Sequence, residues 1–387
     1  MPKIILLTDL AEEYGRGLIK GIMAYAKEHG PWVFCRMPEA FKDAHGIKNF
    51  CKWAKDWGAD GIIGRIRTED DAEQIKRAGI PLIAQDFKER LSNAVNITGA
   101  YNDTGKMAAE YFLKNGYTNF AFYGFKNIVW SRERAEGYEA TVKKHGYKVH
   151  YFEQRRSNTS ELWYYKPSPL SEWLTSLPKP MALMACDDNL GQQITEACKL
   201  TGIRIPEELA ALGVDNDEMI CTISNPALSS ISLDVIKGGY DAAALMDKMI
   251  KQKRKQQWND IIVKPMQTVT RQSTDIYAAN DPYILPALKY IHENIHQNLR
   301  VTHVLKHIPL SRRALETRFQ KVTGFPLYRY IYHLRIEKFS RLLLETDKSI
   351  FEIATETGFD SSKNLSRLFK EVKGCTPGEY RKKHLIK

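Results

Sequence analysis

Over about its first 270 residues the chain alternates short apolar runs with stretches in which apolar residues recur every three to four positions. Runs at 4–7, 32–34, 61–63, 82–84, 120–123, 182–184 and 210–214 predict strands. Stretches at 17–28, 104–114, 132–144, 191–201 and 237–251 predict helices between them. This alternation predicts a parallel sheet covered by helices on both faces. Its length fits one barrel or two doubly wound lobes. A short polar joint, 275–281 (DIYAAND), follows, with Pro282 placed to open the next helix. From there to the end the pattern is helical.

The helical part repeats itself. In 349–381, Ile350, Ile353 and Ala354 form a short apolar face, and Gly358 can supply the positive φ that ends a helix in a sharp turn. Phe359 follows as a buried plug, and Asp360 or Ser361 offers an N-cap oxygen to a second helix. On that helix Leu365, Leu368 and Phe369 make one stripe, which leaves Ser362, Lys363, Ser366, Arg367 and Lys370 outside it. Upstream, Ser311 caps a helix with Leu315 and Phe319 inside and Arg312, Arg313, Thr317 and Arg318 outside. The two segments match at a constant offset of 50 residues: Ser311/Ser361, Leu315/Leu365, Phe319/Phe369, Val322/Val372, Gly324/Gly374 and Tyr330/Tyr380. Two helices across a tight turn, the second capped and basic, make a helix-turn-helix. The chain therefore carries two, at about 301–322 and about 350–371. Residues 327–346 read as a connecting helix of about 30 Å. That length can place two reading helices about one DNA turn, ~34 Å, apart.

Charge sharpens the division. The net charge is +11, and residues 281–387 hold 20 Lys and Arg against 11 Asp and Glu, a net of +9. The last quarter thus points to a polyanion partner. Six cysteines (Cys35, Cys51, Cys186, Cys198, Cys221, Cys375) show no paired spacing, so reduced thiols are expected rather than disulfides or a zinc site. The first apolar run stops at Asp9, unlike a signal peptide. No run of about 18 apolar residues predicts a membrane span, and a cytoplasmic protein is expected. An enzyme is not expected: there is no Walker loop, no G-x-G-x-x-G after a strand, no G-x-S-x-G and no metal cluster. His292, His296, His303 and His307 stand at i, i+4 spacings, which solvated helix faces explain better than a metal. No cofactor is expected.

Three motifs in 349–381, I-x-x-I-A-x-x-x-G-F-x-S, R-x-F-K and G-x-x-P-x-x-Y-R, closely resemble the second DNA-binding helix pair of the AraC family of transcription regulators. Further upstream come N-D-T-G-K-M-A-A-E-Y-F-L-K-N-G-Y, R-A-E-G-Y, M-A-C-D-D-N-L-G, G-I-R-I-P-E-E-L-A-A-L-G-V-D-N and T-R-Q-S-T. In that order they resemble the sugar-binding core of LacI/GalR regulators and periplasmic sugar-binding proteins. The resemblance implies an α/β two-lobed type I periplasmic-binding-protein-like domain over 1–274, two Rossmann-like lobes with ligand between them. An all-α domain with two helix-turn-helix motifs would follow over 282–387. LacI-type repressors place a DNA reader ahead of the core, whereas here the core begins at Lys3 and the reader comes last.

A sugar in a cleft needs carboxylates to accept from hydroxyls, an Arg to donate and an aromatic face against the ring. Asp215 lies just after an apolar strand, at the sheet edge where ligands of such folds bind. The resemblance matches Asp215 to the Asp of the G-x-D-[DN] turn and Arg134 to the sugar-binding Arg of R-x-x-G-Y. It also matches Asp103 and Asp187 to two further ligand positions. Trp130, Tyr14 and Arg16 are candidates because they stand in loops after strands. Base reading needs donors on the first turns of a groove-fitting helix. Arg312, Arg313 and Thr317 fit that in the first unit, and Ser362, Lys363, Asn364 and Arg367 in the second. Arg335 matches a family position that is either structural or phosphate-facing, and Phe339 fills one usually held by Ala. The pairing of these two domains is rare and resembles that of xylose-responsive regulators. That implies D-xylose or a related monosaccharide as effector, operator DNA and RNA polymerase as partners, a homodimer, and activation. Another pentose, a hexose or a sugar acid stays open on the residues alone.

Overall fold

The computed structural model describes residues 1–37, 45–154, 167–252, 258–274, 283–295, 299–323, 325–346, 348–359 and 362–384. The expected joint at 275–281, Pro282, Gly324 and the capping candidates Asp360 and Ser361 lie outside them. The chain divides into two compact units, Met1–Leu113 with Thr118–Thr274, and Asp275–Lys387 with Lys114–Tyr117. Among the described residues no helix is long and apolar enough to cross a membrane.

The first unit runs β1 (Lys3–Leu7), α1 (Glu13–His29), β2 (Val33–Arg36), α2 (Ile47–Trp57), β3 (Gly61–Arg65), α3 (Glu69–Arg77), β4 (Leu82–Gln85), β5 (Val95–Gly99), α4 (Tyr101–Lys114), β6 (Phe120–Phe125) and α5 (Val129–Lys144). It continues with β7 (Val149–Gln154), α6 (Pro167–Ser176), β8 (Met181–Ala185), α7 (Asp188–Thr201), β9 (Leu209–Val214), α8 (Glu218–Ile223), β10 (Ser229–Leu233), α9 (Val235–Lys251), β11 (Ile261–Val263) and β12 (Pro265–Val269). Two six-stranded sheets result, ordered β11-β5-β4-β3-β1-β2 and β12-β10-β9-β8-β6-β7. Only β10–β12 is antiparallel. The architecture is two doubly wound lobes and not a barrel. Five strands (β5, β7, β10, β11, β12) lie outside the apolar runs that predict strands. In β10 (SSISL) the buried Ser229 and Ser230 are satisfied by the Arg271 carbonyl (3.0 Å) and the Asp188 carboxylate (2.6 Å). Serines of this kind look like loop until those distant partners are known.

The chain changes lobe three times, between β5 and α4, between β10 and α9, and between β11 and β12. The crossings are tied together: Ala100 N donates to Val263 O (2.8 Å) and Asp234 N to Lys264 O (2.9 Å). Helices α4 and α5 meet backbone to backbone. A Cβ at Gly137 would collide with the Asn102 carbonyl, and one at Gly105 with the Arg134 carbonyl. The glycine of R-A-E-G-Y thus permits the close approach that fixes where Arg134, one turn earlier, leaves the helix.

The second unit runs α10 (Ile284–Asn294), α11 (Val301–His307), α12 (Arg312–Thr323), α13 (Leu327–Glu345), α14 (Ile350–Glu356), α15 (Ser362–Lys373) and α16 (Pro377–His384). It holds two apolar cores, one around Leu315, Phe319 and Tyr330 and one around Phe359, Leu365, Phe369 and Tyr380. Helix α13 serves both, with Leu327, Tyr330 and Ile331 in the first and Ile336, Phe339 and Leu343 in the second. The fifty-residue offset is visible as geometry. Leu315 and Leu365 are both fully buried, as are Phe319 and Phe369. The Phe319–Tyr330 rings sit 5.3 Å apart and Phe369–Tyr380 5.4 Å apart, both edge-on. Ser349 and Glu352 form a capping box on α14, and Gly358 follows it at φ +76. Phe339 meets Phe359 and Phe369 edge-on, at 6.2 and 5.5 Å.

Candidate functional site

The carboxyl ends of β3, β4, β8 and β9 face a cleft between the two lobes, the usual ligand edge of such sheets. One wall holds Glu12, Glu13, Tyr14, Arg65, Gln85 and Asp86. The other holds Tyr101, Trp130, Arg134, Asp187, Asp188, Asn189, Asp215 and Asp217. The empty space is about 600 Å³ with the solvent at its mouth included.

Arg134 is the centre of the cleft. Its side chain is 3% exposed. It donates to the Cys186 carbonyl at 2.5 Å and to Asp215 Oδ1 at 3.4 Å. The guanidinium also lies 5.5 Å from the Tyr101 ring and 5.3 Å from the Trp130 ring. Asp215 reaches it from a strained turn, with φ +101 at Asp215 and +53 at Asn216. Such angles cost a non-glycine residue roughly 1–3 kcal/mol and persist where the surroundings impose them.

The acids are crowded: Asp86, Asp187, Asp188 and Asp217 are buried and Asp215 is partly so. Burial pushes the Asp215 carboxyl up to about 6; Arg134 pulls it down, while Asp187 and Glu12 add to the rise. Burial also pushes Asp86 up to about 6, against the donated hydroxyls of Thr98 (2.5 Å) and Tyr101 (2.8 Å). Asp188 is raised further, first by burial and then by Asp215, although Ser230 Oγ (2.6 Å) and Asp217 N (2.7 Å) donate to it. The Tyr14 phenol is raised by burial and then by Asp86 and Asp215. Tyr14 Oη, Gln85 Oε1 and Arg134 Nε are buried with no hydrogen-bond partner among the described residues. Buried polar atoms are seldom left that way, and a polyhydroxylated ligand brings donors and acceptors together. No group of residues suited to hold a metal occurs among the described residues.

In the second unit the outer faces of α12 and α15 expose Arg312, Arg313, Thr317 and Arg318, and Ser366, Arg367 and Lys370. Ser311 Oγ caps α12 through Ala314 N at 3.3 Å, and Arg312 Nε donates to Glu316 at 3.0 Å. Ser362, Lys363 and Asn364 open α15, but their side chains lie outside the described residues. Arg335 is 4% exposed and donates to the Leu299 carbonyl at 3.0 Å, which makes it structural. His307 stacks on Tyr290 at 3.9 Å, and His303 closes the N-terminus of α11 with Arg300.

Residues 109–274 match a periplasmic binding protein-like domain, and residues 304–383 a helix-turn-helix domain. The chain is 27% identical to the xylose operon regulatory protein of Escherichia coli strain K12, over 98% of this chain and 96% of that one. It is 28% identical to the protein of the same name from Haemophilus influenzae, over 98% of each. A solved structure of a xylose-binding transcription activator aligns with a TM-score of 0.63 at 25% identity, covering 99% of this chain and 98% of that one. The chain is a transcription regulator. Its core is of the periplasmic-binding-protein type, its DNA-binding domain is of the AraC type, and it is not an enzyme.

In the regulator's cleft, Asp215, Arg134, Asp187, Trp130 and Tyr14 come together as the sequence suggests. Asp187 also caps α7 through Leu190 N at 2.8 Å. Two expected residues do not line it. Asp103 is exposed in the first turn of α4, while Tyr101 on the same turn faces in. Arg16 sits at the rim, held by the carbonyls of Leu10 and Ala11 and by Glu13. From there it reaches across to Asp217 at 2.6 Å, joining lobe to lobe. A second clasp pairs Arg90 with Glu133 (2.7 Å) and Arg132 with Glu89 (2.8 Å). The sequence reading missed Glu12, Arg65, Gln85, Asp86 and Tyr101. Arg65 and Gln85 each end a strand and Asp86 follows one, so the strand-end rule that singled out Asp215 would have found them.

Proposed function

We propose that the regulator activates xylose utilisation genes: it takes D-xylose into the cleft, binds operator DNA as a cytoplasmic homodimer and recruits RNA polymerase. The observation that carries the sugar reading is the Arg134–Asp215 pair, its guanidinium near two aromatic rings and beside buried hydrogen-bonding atoms that lack partners among the described residues. The names of the near-full-length relatives support xylose. Seven carboxyl side chains and two guanidiniums line the cleft, a balance that works against a sugar acid. Sugar closes the lobes and shifts the population toward the DNA-competent arrangement, which requires tighter sugar binding in that arrangement.

A gel-shift titration tests this. D-xylose is expected to tighten operator binding of the native chain, and Asp215→Ala to abolish that response with basal DNA binding unchanged. Operator affinity that ignores D-xylose defeats the xylose assignment. A full response in Asp215→Ala removes Asp215 from the site.

A further inference from the structure

The walls of the cleft are not equally occupied by their own hydrogen bonds. On β4 the register sets Gln85 beside Arg65 of β3 and Ile97 of β5. Leu82 and Ala84 pack into one core of this lobe, and Ile83 and Ile97 into the other. Alternation along the strand therefore sends Gln85 out on the Ile83 face, where Tyr14 also packs. Gln85 is 6% exposed and lines the cleft, and its Oε1 has no hydrogen-bond donor among the described residues. Its neighbour Asp86 is already engaged: Tyr101 donates to Oδ1 and Thr98 to Oδ2. Asp86 thus holds the Tyr101 ring against Arg134, while the amide beside it keeps an acceptor in reserve.

Resting on the sugar reading above, we infer that Gln85 is a specificity-determining residue, the acceptor through which this wall reads one hydroxyl of the ligand. A packing role alone would be met by Leu or Met without leaving a buried oxygen unpaired. A sugar that brings a hydroxyl to that oxygen is favoured over one that does not by roughly tenfold to a hundredfold.

Calorimetry on the full chain tests this with D-xylose and its epimers at C2, C3 and C4 (D-lyxose, D-ribose and L-arabinose). Gln85→Leu is expected to weaken D-xylose roughly tenfold to a hundredfold. It should weaken one epimer far less, so that discrimination at a single carbon collapses. Gln85→Glu keeps an acceptor and is expected to keep the native ranking. Without sugar, Gln85→Leu should melt no lower than the native chain. An equal loss for all four sugars, or a native ranking in Gln85→Leu, overturns the inference. Should Gln85→Leu fail to fold, a ranking lost in Gln85→Glu overturns it instead. A native chain that binds none of the four sinks the xylose reading and the inference with it, a result distinct from native binding with an unchanged Leu ranking.

Discussion

In the cleft, Arg134 is buried among a carbonyl, a carboxylate and two rings, all supplied by other elements. On α12, Arg313 stands exposed on a helix whose inner face, Leu315 and Phe319, is fully buried. We assign both guanidiniums to recognition, but in the cleft the position is fixed by tertiary contacts and on the helix by local periodicity. Buried polar groups interact strongly and are costly to disturb. Exposed cations act one at a time through a screened field. Substitutions in the cleft should therefore abolish a response, and those on the reading helices should trim an affinity, unless they reach the core beneath.

That core is where the largest effect lies. Phe369 is fully buried and touches Phe339 and Tyr380, so Phe369→Ala is expected to cost about 3–5 kcal/mol. Thermal melting should show an early transition of the helical unit, with specific DNA binding lost and D-xylose affinity kept. A parallel loss of sugar affinity would break the separation of the two regions. Phe319→Ala, at the matching position of the first copy, should behave alike.

The pH dependence comes next in size. The carboxyls of Asp86 and Asp215, pushed up to about 6, lie above their ordinary value. Their contribution to the stability of the ligand-free core is full below about pH 4 and lost as pH rises through about 6. A sugar hydroxyl donating to charged Asp215 reverses that preference there, whereas Asp86 already accepts from Thr98 and Tyr101. Affinity for D-xylose should then fall as pH drops below about 6, by about tenfold per unit for the one carboxylate that must ionise. Calorimetry in two buffers of different ionisation heat should detect the released protons. Affinity that is flat from about pH 7 to about pH 5 would mean Asp215 does not accept from the sugar.

The same contrast explains what could be read in advance. The helix pairs are contiguous, so Gly358, Leu365, Phe369 and Tyr380 announce themselves by spacing, and the copy fifty residues upstream repeats the last three in space as Leu315, Phe319 and Tyr330. Asp215 and Arg134 were legible from a strand end and a short motif. Gln85 ends an apolar run in the same way, but the wall it joins is set by the register of β3, β4 and β5 and the packing of α1 above them. Asp103 misled because α4 begins at Tyr101. Two positions on a helix differ by roughly 200°, so the turn that sends Tyr101 inward sends Asp103 out. Arg16 misled because a cation near a ligand edge can serve closure as well as ligand, and only the position of Asp217 across the cleft decides it.

The smallest effect is the sharpest test of how the exposed side works. Arg313 lies in the first turn of α12, behind the Ser311 cap, where a groove-entering helix presents base-reading side chains. Arg313→Ala should weaken operator binding by roughly 1–3 kcal/mol and relax the preference at one base pair, with unrelated DNA little affected. A phosphate contact would behave otherwise, weakening every sequence alike and lowering the salt slope by about 0.9. Binding measured over a salt series, on operator and on unrelated DNA, separates the two. Uniform loss would make Arg313 a positioning contact and shift base reading in the first copy to Arg312 or Thr317. In either outcome the sugar response keeps its fold-change, because nothing in the cleft has moved.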